Sequence, residues 1–277
     1  FFNDYTSCEY KELDIRQLKQ AMFHSQLECE DVGFLANIIE NHDEPRGASR
    51  YLPKYAQTPM GIKMLGTTSV LLRGIPFIYQ GQELGMENVK FESIDQVDDI
   101  SSLDEYKVAL EAGCTPEEAL KAVSRFSRDN ARTPMQWTNS ENAGFTDGQP
   151  WIEVQKNYEK ISVMAEENDD TSILAFYKKL IAFRKQNSII SHGTIRFLDE
   201  MPEAVMGYER EWQEKKMVVL CNFKEEEVRI PYREEWKEYG RILGNYEGSK
   251  EEEEFSAQEG QKELKLRAYE FVVIGDK

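Results

Sequence analysis

Two short apolar runs on either side of a helical pattern limit how this chain can fold more than any other feature. The first run covers residues 34–39, and the second covers residues 75–79, directly after Gly74. Between them, residues 60–72 repeat apolar side chains at the spacing of a helix. Short, nearly continuous apolar strands are typical of parallel sheets that helices cover on both faces. The order strand, helix, strand therefore predicts an α/β fold.

The stretch from residue 80 to residue 150 is too long and too polar to be a simple connection. Insertions of this length in compact domains usually carry function, so we predict a partly helical, lid-like segment. Within it, Thr115 as an N-cap, Pro116 at the first helical position and Glu118 predict the start of a helix. Amphipathic helices are also predicted at residues 13–23 and 173–183.

The sequence pattern changes at Gly193, beyond which short runs with strand character are separated by charged turns. These runs cover residues 204–208, 217–223, 227–230 and 269–274. We therefore expect residues 191–277 to form a small antiparallel β domain, whereas residues 1–190 belong to the α/β part of the chain.

The acidic composition of the chain narrows the range of its partners. With 34 basic and 51 acidic residues among 277, the formal charge is -17. Such a charge disfavours nucleic acid and anionic membrane surfaces as partners, and a neutral ligand fits better. The four glutamates at residues 251–254 are interpreted as a solvated loop.

The cysteines bear on the cellular compartment. Cys8, Cys29, Cys114 and Cys221 show no paired spacing, so disulfides and a zinc site are not expected. Chains without disulfides are typical of reducing compartments, and a cytoplasmic location is predicted. No apolar stretch of about 18 or more residues occurs, so a membrane-spanning helix is not expected in this sequence either.

A cluster of polar residues, Asn41, His42, Asp43 and Arg46, follows the first predicted strand. Polar residues at the carboxyl end of a parallel strand lie on the face where barrel enzymes keep their sites. Pro45 disfavours a helical conformation for the residue before it, so the chain is expected to leave the strand in an extended form. His42 and Asp43 should therefore stay near the end of the strand, where they can contact a ligand.

The same cluster, together with Pro45, resembles a signature region of the α-amylase family of glycoside hydrolases. A more specific match is RDNARTPMQW at residues 128–137, which resembles the long signature of the oligo-1,6-glucosidase and α-glucosidase branch. Further similarity to this branch occurs at residues 74–81, 85–86, 91–95, 143–145, 150–151, 221–223 and 269–270. The resemblance implies the C-terminal portion of a (β/α)8 TIM barrel, followed by an antiparallel β-sandwich domain.

Two positions depart from the pattern of this branch. Glu44 stands where Gln is common, and Gln82 stands where Glu often occurs. Sugar contacts beyond the cleaved bond are therefore expected to differ from those of the branch. The family assignment does not depend on either position.

The resemblance also implies roles for individual residues. Retaining glycosidases use one carboxylate as nucleophile and a second carboxyl group as acid and base, and the α-amylase family adds a third carboxylate that grips the sugar. Asp43 matches this third position, where it would stabilise the positive charge that develops on the ring. His42 would donate to a neighbouring hydroxyl, and Arg128 would line the pocket. Asn41 and Arg46 are further predicted substrate contacts.

No residue matches the nucleophilic aspartate or the acid glutamate, which lie upstream of the matched region in this family. Glu83 follows a predicted strand but is interpreted as a structural residue. No predicted strand precedes the acidic residues near the start of the sequence, which are Asp4, Glu9, Glu12 and Asp14. We therefore expect the chain to be inactive alone and to need the missing N-terminal part of the same enzyme as its partner. No organic cofactor and no metal site are predicted, and calcium would belong to the absent part.

Several functions stay open on the sequence alone. The favoured function is that of a retaining α-glucosidase acting on short oligosaccharides. Relatives with the same motifs isomerise sucrose, hydrolyse trehalose 6-phosphate or transfer glucosyl units. Other members of the family have lost catalysis and serve as subunits of amino-acid transporters, and a truncated, non-catalytic remnant is a further alternative. Bond preference, substrate length and oligomeric state are not determined by these residues.

Overall fold

The computed structural model describes residues 12–246 and 263–276. Asp4, Glu9, Cys8 and the glutamates at residues 251–254 lie outside the described residues. By their internal contacts, the described residues form two compact units. Unit 1 contains residues 12–13, Ile38–Gln57 and Ile78–Phe176, and unit 2 contains Asp14–Asn37, Thr58–Phe77 and residues 177–246 and 263–276.

Helices and strands occur in both units. The α-helices of the described ranges are α1 (Ile15–Glu28), α2 (Gly47–Tyr51), α3 (Pro59–Val70), α4 (Ile100–Glu111), α5 (Pro116–Phe126), α6 (Asp129–Arg132), α7 (Val163–Glu166), α8 (Ile173–Gln186) and α9 (Ser188–His192). The strands are β1 (Ala36–Ile38), β2 (Ile75–Phe77), β3 (Thr194–Phe197), β4 (Val205–Trp212), β5 (Lys215–Asn222), β6 (Val228–Pro231), β7 (Gly240–Gly244), β8 (Glu263–Leu266) and β9 (Phe271–Gly275). None of the helices described is long and apolar enough to cross a membrane.

Capping explains where the predicted helices begin. The Thr115 hydroxyl accepts a hydrogen bond from the Glu118 N–H, and the Glu118 carboxylate accepts one from the Thr115 N–H, which closes the capping box of α5. Thr58 caps α3 ahead of Pro59, and Asp14 caps α1. The helices predicted from apolar spacing are thus confirmed, and residues 80–150 contain α4, α5 and α6. The lid-like role of this stretch stays a prediction.

The strands β1 and β2 pair in a two-stranded sheet, but their burial differs from the prediction. Phe34 and Ile38 are 58% and 43% exposed, and Ile75 and Phe77 are 56% and 53% exposed. The expectation that both faces of these strands are buried is therefore wrong for the described residues. Because the side chains of a strand point to opposite faces in turn, packing that covers one face leaves every second side chain in solvent.

The C-terminal strands of unit 2 form two antiparallel sheets. The larger sheet has the order β3-β4-β5-β9-β7, and β6 pairs with β8 in the smaller one. Side chains from both sheets share one apolar core, which includes Val218, Leu220, Ile230, Trp236 and Leu266. These sheets show the antiparallel β architecture predicted for this part of the chain, although β3, β7 and β8 lie outside the predicted runs.

Unit 1 consists of short helices and loops around small apolar clusters. One cluster contains Leu84, Met86 and Met135, and another contains Phe91, Val97 and Val123. Elsewhere in unit 1, hydrogen bonds of buried polar side chains connect the loops. Some of these bonds position the residues of the candidate site. The predicted boundary near residue 190 separates an α/β part of the chain from an antiparallel β part. Each compact unit is assembled from several separate segments of the chain, so the units do not test this boundary. The boundary therefore stays a prediction.

Candidate active site

The loop after β1 orients Asp43. The side-chain oxygen of Asn41 accepts a hydrogen bond from the Asp43 N–H at 2.8 Å, and the Asn41 carbonyl accepts one from the Glu44 N–H at 3.4 Å. Asn side chains commonly bond the backbone two residues ahead in this way. Asn41 therefore shapes the loop, and its own contact with a sugar stays a prediction.

Three side chains surround the Asp43 carboxylate. Arg132 donates from Nη2 to Oδ1 at 2.9 Å, His42 Nε2 lies 3.1 Å from Oδ2, and Arg128 Nη1 lies 3.6 Å from Oδ1. The side chains of Asp43 and His42 are 52% and 71% exposed, so both can reach a ligand. The structure thus brings together His42, Asp43 and Arg128, and it adds Arg132, which sequence reasoning did not single out.

A second carboxylate, that of Asp99, holds the same two arginines. Arg128 donates to Asp99 Oδ1 from Nε at 3.0 Å and also from Nη2, and Arg132 Nη1 lies 3.8 Å from this oxygen. The Asp99 side chain is 3% exposed. Burial raises its pKa, but hydrogen bonds from Arg128 and Ser102 outweigh burial and hold the pKa below its usual value. Asp99 is therefore an anion that positions the arginines beside Asp43.

Sequence reasoning missed Asp99, and its only local signal is that of a helix cap. It precedes α4, where its Oδ2 accepts hydrogen bonds from the Ser102 N–H at 3.2 Å and the Ser102 Oγ at 2.8 Å. The other oxygen of the same carboxylate meets Arg128, which comes 29 residues later. The sequence pattern of a helix cap predicts the contact of Asp99 with Ser102, but it does not predict the contact with Arg128.

Asp129, the residue after Arg128, anchors the segment that contains Arg128 and Arg132. Asp129 is fully buried, and its Oδ2 accepts hydrogen bonds from the backbone N–H groups of Asp98 at 2.8 Å and Asp99 at 3.0 Å. Arg128 and Arg132 flank this anchor in a short helical turn, in which residues four apart lie on the same face. Both guanidinium groups therefore point to the same carboxylates.

The side chain of Arg46, a predicted substrate contact, lies in the interior of unit 1 and is 1% exposed. Its Nη1 donates to the Gln80 carbonyl at 2.7 Å, its Nε donates to the Asn130 carbonyl at 3.2 Å, and Nη1 lies 3.4 Å from Glu40 Oε2. Arg46 thus braces three segments of the chain. Through these bonds Arg46 can affect sugar binding indirectly, and its direct contact with a sugar stays a prediction.

Two buried carboxyl groups have pKa values that would suit a catalytic acid. Burial raises the pKa of Glu40 to about 7, against the opposing effect of Arg46, and burial raises the pKa of Glu166 to about 7 as well. Both side chains are enclosed, and Glu166 accepts a hydrogen bond from the Leu174 N–H at 2.9 Å at the start of α8. We assign neither residue to catalysis, because their carboxyl groups serve buried structural bonds.

The two positions that depart from the family pattern also make structural contacts. Glu44 forms an ion pair with Arg50, and the buried Gln82 accepts a hydrogen bond from the Tyr79 N–H at 3.2 Å. Glu83 accepts a backbone N–H bond within its own loop, and burial raises its pKa. These contacts are in line with the structural interpretation of Glu83.

The donors and acceptors around Asp43 suit a neutral polyhydroxyl ligand. A carboxylate accepts hydrogen bonds from hydroxyl groups, whereas imidazole and guanidinium groups donate to them. Each arginine already lies beside a carboxylate, so the cluster carries little net charge. Among the residues that the structure describes, no group of three or more His, Cys, Asp or Glu side chains could hold a metal ion.

Comparison with known proteins defines the class. Residues 2–193 match the family model described as alpha amylase, catalytic domain. The chain belongs to the α-amylase family. It is 39% identical over 259 residues to the oligo-1,6-glucosidase of Parageobacillus thermoglucosidasius, an alignment that covers 92% of this chain and 45% of that protein. It is 40% identical over 219 residues to the glucan 1,6-alpha-glucosidase of Streptococcus pneumoniae, covering 78% of this chain and 41% of that protein.

Solved structures show the same relationship. The trehalose-6-phosphate hydrolase of Bacillus licheniformis superposes with a TM-score of 0.84 at 34% identity, covering 98% of this chain and 48% of that one. The chain thus spans about half the length of the relatives that it matches. The resemblance to the oligo-1,6-glucosidase branch is confirmed, and so is the fold class of a partial barrel followed by an antiparallel β domain.

Proposed function

We propose that this chain is part of a retaining α-glucosidase that hydrolyses α-glucosidic bonds of short oligosaccharides. In that enzyme, the chain contributes Asp43 and its neighbouring side chains to the site that binds the glucosyl unit. The proposal is carried by one arrangement, a half-exposed Asp43 carboxylate flanked by His42 and by two arginines that a buried Asp99 holds in place. Two relatives of the chain are an oligo-1,6-glucosidase and a glucan 1,6-alpha-glucosidase, in line with this assignment.

In this role, Asp43 accepts hydrogen bonds from two neighbouring hydroxyls of the glucose ring. Its negative charge stabilises the oxocarbenium-like transition state, in which positive charge develops near the anomeric carbon. His42 donates to an adjacent hydroxyl. Because Arg128 is bonded to Asp99 as well, it does not need to turn when a ligand arrives, and the site is preorganised.

The chain by itself is proposed to be inactive. Retaining hydrolysis needs a nucleophilic carboxylate and an acid about 5 Å apart across the bond. Asp99 is a buried, ion-paired anion and Glu40 is an enclosed structural residue, so neither fills these roles. The nucleophile and the acid would come from the N-terminal part of the same enzyme, which is the partner that we propose.

Two assays test this function. The purified chain should show no turnover of nitrophenyl α-glucoside above the blank, and measurable turnover would refute the proposed inactivity. A fusion of the N-terminal half of the Parageobacillus thermoglucosidasius enzyme to this chain should hydrolyse the same substrate. A panel of isomaltose, maltose, sucrose and trehalose 6-phosphate then separates hydrolysis of each bond from isomerisation and transfer.

In the fusion, Asp43→Asn should lower kcat about a hundred- to a thousandfold, since one preorganised electrostatic contact contributes roughly 3 to 4 kcal/mol. Asp104→Asn is the matched control, because Asp104 lies exposed on α4 and pairs with Lys107. The control should leave kcat unchanged. If Asp43→Asn kept kcat within about tenfold of the parent, the role assigned to this carboxylate would be wrong.

A further inference from the structure

Trp151 is an exposed aromatic side chain that the proposed function does not use. It belongs to unit 1 and is 68% exposed. Its indole Nε1 donates a hydrogen bond to Asp98 Oδ2 at 2.8 Å. The ring is therefore held at its polar edge, while most of the residue remains exposed to solvent.

One peptide unit links this ring to the candidate site. Asp98 holds the Trp151 indole, and the next residue, Asp99, holds Arg128 of the site. The N–H groups of both aspartates bond to one carboxylate oxygen of the buried Asp129. A single buried anchor thus positions the indole ring and the site arginine together.

A sugar ring is the ligand that this surface suits. One face of a pyranose presents C–H groups, whereas its hydroxyls form a polar rim. Stacking that face on an indole removes apolar surface from water and leaves the hydroxyls hydrated. Because the ring of Trp151 is already oriented, little conformational freedom would be lost on binding.

On the basis of the function proposed above, we propose that Trp151 forms a stacking subsite for a distal sugar unit of an α-linked oligosaccharide. The terminal glucose of the same oligosaccharide would lie at Asp43. A monosaccharide would occupy the Asp43 site alone, whereas a trisaccharide would contact both places. Trp151 would therefore determine a preference for longer oligosaccharides.

NMR titration of the whole chain tests the subsite, since binding requires no turnover. The indole N–H signal of Trp151 is assigned by its loss in Trp151→Phe, and the His42 ring signals are assigned with His42→Gln. Isomaltotriose should shift both sets of signals, and methyl α-glucoside should shift those of His42 alone. The trisaccharide should bind about tenfold more tightly than the monosaccharide, and Trp151→Ala should abolish this advantage.

Two variants serve as controls. Trp151→Phe retains an aromatic face and should keep most of the preference for the trisaccharide. Trp212→Ala removes a tryptophan that is 38% exposed at the end of β4 in unit 2, and it should alter neither affinity. A loss of preference in Trp212→Ala equal to that in Trp151→Ala would overturn the subsite.

The outcomes separate the subsite from the proposed function. If isomaltotriose shifts the His42 signals but leaves those of Trp151 unmoved, the subsite is overturned and the site at Asp43 stands. A shift at Trp151 without one at His42 would support the subsite and overturn the placement of glucose at Asp43. If neither residue responds to either sugar, the subsite is overturned, and the function proposed for Asp43 is then decided by the fusion assay.

Discussion

Arg46→Met should destabilise the chain by about 3–5 kcal/mol at pH 8, because it leaves the buried Glu40 carboxylate without its cation. The same change removes the donor to the carbonyls of Gln80 and Asn130, which lie 2.7 Å and 3.2 Å from the guanidinium. Each buried acceptor left without a donor costs roughly 1 kcal/mol. At pH 5 the loss should shrink to about 2 kcal/mol, since a protonated Glu40 needs no cation.

The sign of this pH effect follows from the Glu40 carboxyl group. Burial, with a smaller contribution from Glu83, raises its pKa from 4.5 to about 7, against the opposing charge of Arg46. The folded state therefore binds the proton more tightly than the unfolded state. The resulting stabilisation is fully present below pH 4.5 and is lost as the pH rises through 7. At about 1.4 kcal/mol per pH unit, this contribution is about 3 kcal/mol.

Urea unfolding at pH 5 and at pH 8, followed by tryptophan fluorescence, measures these free energies. Glu40→Gln should reduce the pH dependence of stability by up to about 3 kcal/mol, because an amide does not titrate. Arg229→Met is the control, since Arg229 is 60% exposed and should contribute less than about 1 kcal/mol. Equal losses for Arg46→Met at both pH values would refute the reasoning, as would a Glu40→Gln variant with the parental pH dependence.

Three further substitutions test separate features. Asp99→Asn keeps the helix cap but removes the anion that positions Arg128, so methyl α-glucoside should bind about tenfold more weakly in an NMR titration; unchanged affinity would argue against this positioning. Arg210→Met should lower the free energy of unfolding in urea by roughly 3 kcal/mol, because the buried guanidinium donates to three backbone carbonyls; a loss under about 1 kcal/mol would contradict this account. Thr115→Ala should cost about 1 kcal/mol of stability by thermal unfolding, and Thr115→Ser should restore most of it; identical behaviour of the two variants would exclude the cap.

Parts of the fold and of the site that depend on near neighbours could be predicted from the sequence. The start of α5 depends on Thr115 and Glu118, whose groups bond each other within one turn. The bond from the Asp43 N–H to Asn41, two residues earlier, is equally local, although only a sugar contact was predicted for Asn41. The specific motif at residues 128–137 identifies the family through the order of its residues alone.

Other features were decided only by the tertiary structure. Asp99 meets Arg128 across 29 residues, and Arg132 meets Asp43 across 89 residues. Arg46 follows the same loop as Asp43, yet it is buried while Asp43 is half-exposed. Burial and pairing between distant side chains depend on where separate segments come to lie, and local spacing carries no information about that position.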